Sequence, residues 1–251
     1  MDISIIIPVL HFERKKNIKK FYKKSFNIKD VINKLTISNK KNYEIICICN
    51  NNLDNNLINF IKNNDHIDKF CINSTNPGVA RSWNIGANLS EGNALYFLND
   101  DCSTSTTDLE LLYKALYSSE NIGIVGPEGI EWGIESPKKR LRNLKNISEV
   151  DCINGYSFMI KKNVYHEVGG FDNCYTPAFY EETDMCFKVR KNGYKILAVP
   201  GTNIFHYEEH GVSSRNILIK YFTTKIHTKD LTKRNCDYFL KKWFPNKKDQ
   251  D

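Results

Sequence analysis

Residues 76–101 read NPGVARSWNIGANLSEGNALYFLNDD, and this stretch decides the fold. A Pro-Gly loop enters a helical run from Ala80 to Leu89, and a Glu91–Gly92 turn breaks it. The apolar run Ala94 to Leu98 then stops at Asn99–Asp100–Asp101. An uninterrupted apolar run closed by polar residues reads as a strand buried on both faces, with carboxylates at its end. The same grammar extends outward. Ile3 to Val9 is a β-branched run with Pro8 near its end. Glu44 to Cys49 ends in the turn Asn50–Asn51–Asn52. Lys69 to Ile72 is a short third strand, and Ile122 to Val125 a fifth. Between them, helical spacing covers Asn17 to Leu35, Leu57 to Ile61 and Leu109 to Tyr117. Strands alternating with helices predict an α/β, Rossmann-like, doubly wound and mostly parallel sheet. Ligands of such sheets bind beyond the carboxyl ends of the strands, so Asn50 and Asn99–Asp101 should face one crevice.

Beyond Gly126 the pattern changes. Glu128 to Glu149 is charged and aperiodic and reads as a loop or insertion. Ile153 to Ile160 reads as one strand, Lys162 to Val168 as a helix, Gly169–Asp172 as a turn, Glu181 to Lys191 as a helix and Lys195 to Val199 as a strand. His206 to Ser214 is a polar segment. The expected organisation is one domain over 1–214, with a nucleotide-binding half (1–126) and a smaller acceptor-side, catalytic half (127–214). A basic, aromatic and helical tail (215–251) follows.

Composition bounds the function. The 251 residues are 41% hydrophobic and 26% charged, enough for a sizeable core and unlike disordered or collagenous chains. No window approaches ~18 apolar residues, and MDISIIIPVL reads as a first strand, not a secretory leader. The expected location is the cytoplasm, soluble or peripheral to a membrane. The eight cysteines form no CxxC pair and read as reduced structural thiols. The net charge of +7 lies mostly in helical and terminal segments, without zinc-finger, helix-turn-helix or ribonucleoprotein motifs. Nucleic acid is therefore not the expected partner; solvated helical faces, or an anionic surface or acceptor, account for the excess.

Four groups of residues could carry chemistry. Asn99–Asp100–Asp101 could hold a hard cation or serve as a turn. Glu181–Glu182–Thr183–Asp184 opens a helix, either complementing its dipole or presenting a general base to the crevice. His206 and His210 could be ligands one turn apart or members of a loop. Asn76–Gly86, running from loop into helix, could bring backbone close to a phosphate.

The order of these pieces is more specific than any one of them. Strand-Pro, strand-Asn turn, N-x-G-x-A-x-x-x-N-x-G, strand-N-D-D, N-G-x-x-x-x-I-x-K, G-G-F-D, E-E-x-D and H-x-x-x-x-G-x-S together resemble the family 2 glycosyltransferases of GT-A fold. Within them the pattern is similar to the rhamnosyltransferase-like branch, and the likeness spans roughly residues 3 to 214. It implies an inverting, metal-dependent transfer from a nucleotide-sugar donor, a UDP-sugar foremost and dTDP- or GDP-sugars as options. The acceptor would be a hydroxyl of a glycan, glycolipid or glycoprotein.

Carried onto this chain, the resemblance makes Asp101 the ligand of Mn²⁺ or Mg²⁺, with His206 and then His210 near the diphosphate and metal. Glu182 becomes the catalytic base, Glu181 the alternative, and Asp184 the third member of that box. Pro8, Asn50, Asn76, Gly78, Arg81, Asn84, Asn99 and Asp100 would contact the nucleotide sugar. Asp54 could replace Asn50 in reading the base. Gly155, Tyr156 and Trp132 would meet donor or acceptor sugar. A sugar nucleotidyltransferase would need a Gly-rich, Arg-containing loop after the first strand, which PVLHFERKK lacks. A non-catalytic relative that binds nucleotide or glycan remains the alternative, separated from the enzyme by turnover.

Overall fold

A computed structural model describes residues 2–12, 26–37, 42–133, 135–207 and 216–245. In chain order the first half runs β1 (Ile3–Val9), α1 (Ile28–Leu35), β2 (Tyr43–Cys49), α2 (Asn55–Lys62), β3 (Lys69–Ile72), α3 (Val79–Leu89), β4 (Ala94–Leu98), β5 (Cys102–Ser103), α4 (Thr106–Leu116) and β6 (Ile122–Gly126). The second half continues β7 (Gly129–Trp132), β8 (Pro137–Leu141), β9 (Ser148–Glu149), β10 (Cys152–Ile153), β11 (Ser157–Lys161), α5 (Lys162–Glu167), a 3₁₀ turn (Asn173–Tyr175), α6 (Glu181–Lys191), β12 (Lys195–Ala198) and β13 (Phe205–His206). A hairpin of β14 (Leu218–Tyr221) and β15 (Thr224–His227) leads into α7 (Thr228–Trp243).

The main sheet has the order β3-β2-β1-β4-β11-β6-β12-β9. β1, β2, β3 and β4 pair in parallel, and β12 is parallel to β6; β11 lies antiparallel between β4 and β6. The mixed α/β, mostly parallel expectation therefore holds. Successive strand residues point to opposite faces. Ile5 and Ile7 accordingly enter one apolar cluster, beneath α1 and α4, while Ile6 enters the other, beneath α3 and α6. In that second cluster Trp83 of α3 meets Phe97, Phe158 and Phe171 at centroid distances of 5.4, 5.5 and 4.9 Å.

Four expectations change. The helix expected from Asn17 starts at Ile28, because Asn27 and Asp30 form a reciprocal capping box there; residues 17–25 lie outside the described residues. The expected loop Glu128 to Glu149 contains the antiparallel β7–β8 hairpin and β9. Its β8 strand, PKKRL, is exposed almost throughout and so carries no apolar alternation to read. The single strand expected over Ile153 to Ile160 is two: β10 pairs with β7 in a small sheet, and β11 enters the main sheet. Asn154–Gly155–Tyr156 forms the crossing. Finally, the tail is a hairpin plus a packed helix, with Leu231 and Phe239 fully buried.

α7 holds the loop that precedes α6. Phe179 and Tyr180 both have positive φ (78° and 74°), a costly conformation for aromatic residues. The side-chain amide of Asn235, itself buried, donates to the carbonyls of Tyr175, Ala178 and Phe179 at 2.8–2.9 Å. Arg234 donates to the Thr176 carbonyl. Lys242 pairs with Asp184 (2.8 Å) and Asp172 (2.7 Å), and the Trp243 indole donates to Asp184 at 2.8 Å.

Gly86 of α3 lies directly on β1, so an added Cβ would stand 2.2 Å from Ile6 Cγ2. The small residues of this motif thus serve helix–sheet packing here. Gly86→Ala should destabilise the chain by about 1–3 kcal/mol through overpacking, measured as a lower urea midpoint. Asn235→Ala should cost about 1–3 kcal/mol, because three carbonyls lose their donor at a strained loop; an unchanged midpoint would remove that role from α7.

Candidate active site

The carboxyl end of β4 begins the site. Asn99 N–H donates to the Tyr156 carbonyl (2.9 Å), which seats the β10–β11 crossing beside the β4 end. Asp101 is fully buried, and its carbonyl accepts from Tyr207 N–H at 3.0 Å. β5 and β13 form a two-residue antiparallel ladder with His206 opposite Cys102. That pairing sets His206 Nε2 3.3 Å from Asp101 Oδ1, with 27% of the His206 side chain still exposed. The Tyr156 ring stacks on the His206 imidazole at 4.8 Å and 14°.

One ligand atom each from Asp101, Cys102 and His206 lies within 4.8 Å of the others. The Cys102 thiol donates to the Tyr156 carbonyl at 3.4 Å, so it already serves the crossing. Asp101 and His206 are the pair that fits a cation: the carboxylate suits Mg²⁺ and Mn²⁺ alike, and the imidazole suits a transition ion. His210, the expected second histidine, lies outside the described residues.

The second half of the site is the first turn of α6. Gly155 runs directly against Glu182: an added Cβ would come within 2.9 Å of its Cγ and Cδ. Glu182 is half-buried, and burial raises its carboxyl above the usual range despite the approach of the N–H groups of Glu182 and Thr183. Glu181 is buried more deeply. Burial, then the neighbouring Glu182 charge, push it well up, and its Oε2 has no hydrogen-bond partner among the described residues. Asp184 does not join them. It is fully buried beneath α7, bonded by Trp243, Lys242 and Tyr175, and so anchors the helix.

Gly155 touches Glu182, and its neighbour Tyr156 covers His206. Residues far apart in sequence thus flank one dipeptide: Asn99, Asp101 and His206 meet Tyr156, and Glu182 meets Gly155.

Other expected contacts are committed to the fold. Asn50 is nearly buried, and its side-chain carbonyl accepts from Asn73 (3.1 Å) and Ser82 (3.0 Å), while its Nδ2 has no partner among the described residues. Asp54 caps α2 through Oδ1 and accepts from Phe12 N–H at Oδ2, so each oxygen already serves the fold once. Asn84 accepts from Tyr165 (2.5 Å) and Phe171 N–H (2.9 Å) while donating to Phe171 and Asn173, which spends the amide on the G-G-F-D turn. Asn76 binds Gly78 N–H and the Lys220 carbonyl, docking the β14–β15 hairpin.

Gly78 has φ +84°, and Pro177 backbone lies 2.6 Å from where its Cβ would be, so glycine is required there by packing. Arg81 stands over the Phe222 ring at 5.5 Å, and its buried Nε has no hydrogen-bond partner among the described residues. Trp132 is half-buried and packs on Phe187 and Phe239 beneath α7. Pro8 is half-buried in β1 opposite Ile48, and Asp100 is buried near Cys47, whose thiol burial and that charge push up. Sequence reading missed Asn235, Asn73 and Ser82. An isolated Asn or Ser carries no periodic signal, and each acts through contacts distant in sequence.

Solved structures with the same fold include GalNAc-T7 with UDP, GalNAc and Mn²⁺ (TM-score 0.65, 17% identity, 82% of this chain and 43% of that one). The mannosyltransferase PcManGT from Pyrobaculum calidifontis, in complex with GDP-Man and Mn²⁺, gives 0.55, 13%, 79% and 55%. S. aureus TarS 1-349 in complex with UDP-GlcNAc gives 0.57, 15%, 80% and 57%. The chain therefore spans about half the length of these proteins. No curated protein matches it in sequence. The family description Glycosyl transferase family 2 matches residues 4–176, most of the chain, which takes in the β4 end and the Asn154–Tyr156 crossing and stops short of Glu182 and His206, and the protein belongs to that family.

Proposed function

We propose that this glycosyltransferase moves a sugar with inversion from a nucleoside-diphosphate donor, UDP-linked foremost and dTDP- or GDP-linked as options, to an acceptor hydroxyl. Of the family's branches, the sequence pattern lies nearest the rhamnosyltransferase-like one. The reading is carried by one observation: Glu182 and the Asp101–His206 pair lie on either side of the Gly155–Tyr156 dipeptide. Three structural neighbours carry nucleotide or nucleotide sugar in their complexes, two of them with Mn²⁺.

Asp101 and His206 would hold a divalent cation, which supplies positive charge to a departing diphosphate. The chain's own residues do the rest. Asp101 is fixed by burial and by the β5–β13 ladder, so its carboxylate reorganises little. The Tyr156 ring orients the imidazole. Inversion requires a base on the face opposite the leaving group, and Glu182 supplies a carboxylate whose raised pKa makes it a stronger proton acceptor than an exposed one. Gly155 leaves that carboxylate its space. Asn50 Nδ2 remains as a donor towards a nucleobase carbonyl.

The non-catalytic alternative rests on three departures from the resembled family's pattern: Asn50 and Asn99 stand where it commonly carries an acidic residue, and Glu182 where it more often carries the shorter Asp. It predicts nucleotide binding without release of free diphosphate.

Glu182→Gln should preserve nucleotide binding and lower kcat by about 10²–10⁴-fold, the usual value of general-base help. The unaltered enzyme must lose activity as pH falls, with a midpoint above the ordinary glutamate value of 4.5, because protonation removes the base. A kcat in the variant within threefold of the parent would exclude Glu182. Asp101→Ala should abolish Mn²⁺-dependent thermal stabilisation by UDP or GDP, which at about 100 times Kd is worth roughly 2.7 kcal/mol in the parent.

A further inference from the structure

Strand β8 and the turn after it hold a charge pattern that neither the fold nor the transfer chemistry uses. Residues 137–145 contain five cations (Lys138, Lys139, Arg140, Arg142 and Lys145), and no acidic residue occurs between Glu135 and Glu149. β8 is the edge of the β10-β7-β8 sheet, with Pro137 through Arg140 exposed. Glu131 stands opposite Lys139 in the ladder, yet the ion pair formed here is Arg142 to Glu128 at 3.3 Å. Among the described residues Lys138, Arg140 and Lys145 have no salt-bridge partner. A lysine on an edge strand discourages pairing with another sheet, and one or two suffice for that. Five in nine residues repel one another and raise the local positive potential well beyond that need.

The inner end of this strip reaches the crevice. Glu128, which holds Arg142, also accepts from the side-chain amide of Asn154 at 2.7 Å. Asn154 precedes Gly155 and Tyr156. The Tyr156 ring in turn stacks on His206. The basic strip is therefore tied through Arg142, Glu128 and Asn154 to the dipeptide whose Tyr156 ring lies on His206.

We propose that β8, with Arg142 and Tyr156 at its inner end, binds a polyanionic acceptor glycan that carries phosphate or carboxylate groups along its length. This rests on the transferase reading above. Alternate strand residues are about 6.8 Å apart, so Lys138 and Arg140 present charges at intervals along one face. A chain with recurrent anionic groups can engage both while its end lies over Tyr156. Nucleic acid fits less well, because residues 135–149 contain no aromatic side chain on which bases could stack.

Fluorescently labelled oligogalacturonate (carboxylates), inorganic polyphosphate (phosphates) and neutral maltohexaose test this against the full chain. The expected result is at least tenfold tighter binding of one or both anions than of maltohexaose, weakening with salt. Lys138→Glu/Arg140→Glu should lose tenfold or more of that affinity. Lys229→Glu/Lys233→Glu, on exposed positions of α7, should change it by less than threefold. Which anion binds tighter identifies the acceptor's charged group.

Equal binding of neutral and anionic oligomers, or equal losses in the two variants, overturns the inference. So does tighter binding to duplex RNA or to phosphatidylserine vesicles than to either anion. Thermal shifts with UDP or GDP and Mn²⁺ on the same samples separate the two readings. Retained nucleotide stabilisation without anion preference overturns this inference alone. Absent stabilisation in the unaltered chain overturns the transferase reading, and this inference with it.

Discussion

The hydrogen bond from Asn99 N–H to the Tyr156 carbonyl joins the end of β4 to the place where the chain changes sheets. One residue later Ser157 falls into register with Leu98, and β11 begins between β4 and β6. One residue earlier Gly155 lies against Glu182, where any side chain would displace the carboxylate. The crossing is thus constrained from both sides. It must leave the small sheet after Ile153 and enter the large one at Ser157. Its three residues thereby sit between the β4 end and the first turn of α6.

Charge burial is the second theme. Glu181 and Asp184 are both removed from water on α6, but they are treated differently. Asp184 receives Lys242, Trp243 and Tyr175, so its charge is compensated by the C-terminal helix. Glu181 is raised by burial first and by the neighbouring Glu182 charge second, and the N–H of its own helix turn offsets this only in part. Perturbed carboxyls cluster at functional sites, and Glu181, with Oε2 unpartnered among the described residues, stands next to the proposed base. The loop that aims both glutamates takes two left-handed aromatic residues and is held by Asn235 from α7. The C-terminal helix, beyond residue 176 where the family match ends, is therefore part of the site's framework.

The polar residues of the motif stretch divide by what reaches them. Asn84 and Gly78 face other parts of the chain and stabilise it. Asn50 accepts from Asn73 and Ser82 through its carbonyl, and its Nδ2 has no partner among the described residues. Arg81 keeps an unpartnered Nε under Phe222. A sequence motif records that a residue type is required without separating a requirement of packing from one of binding.

Much of the fold was determined by the sequence alone. Apolar runs such as Ala94–Leu98 and Lys69–Ile72 carry their strand boundaries in their own composition, and Glu181–Lys191 its helix, because burial and local periodicity are readable over a few residues. The Asn99–Asp101 carboxylates and the Glu181–Glu182 pair were legible for the same reason. What only tertiary structure decided involves residues with little local signal. The basic β8 strand is exposed and has no alternation. The split at Asn154–Tyr156 depends on two sheets competing for one apolar run. Trp132 and Asp184 resemble site residues in sequence but are claimed by α7, a helix whose docking depends on Phe239, Asn235 and Lys242 meeting partners far away along the chain. Contacts of that kind are set by three-dimensional packing, which no short window of sequence encodes.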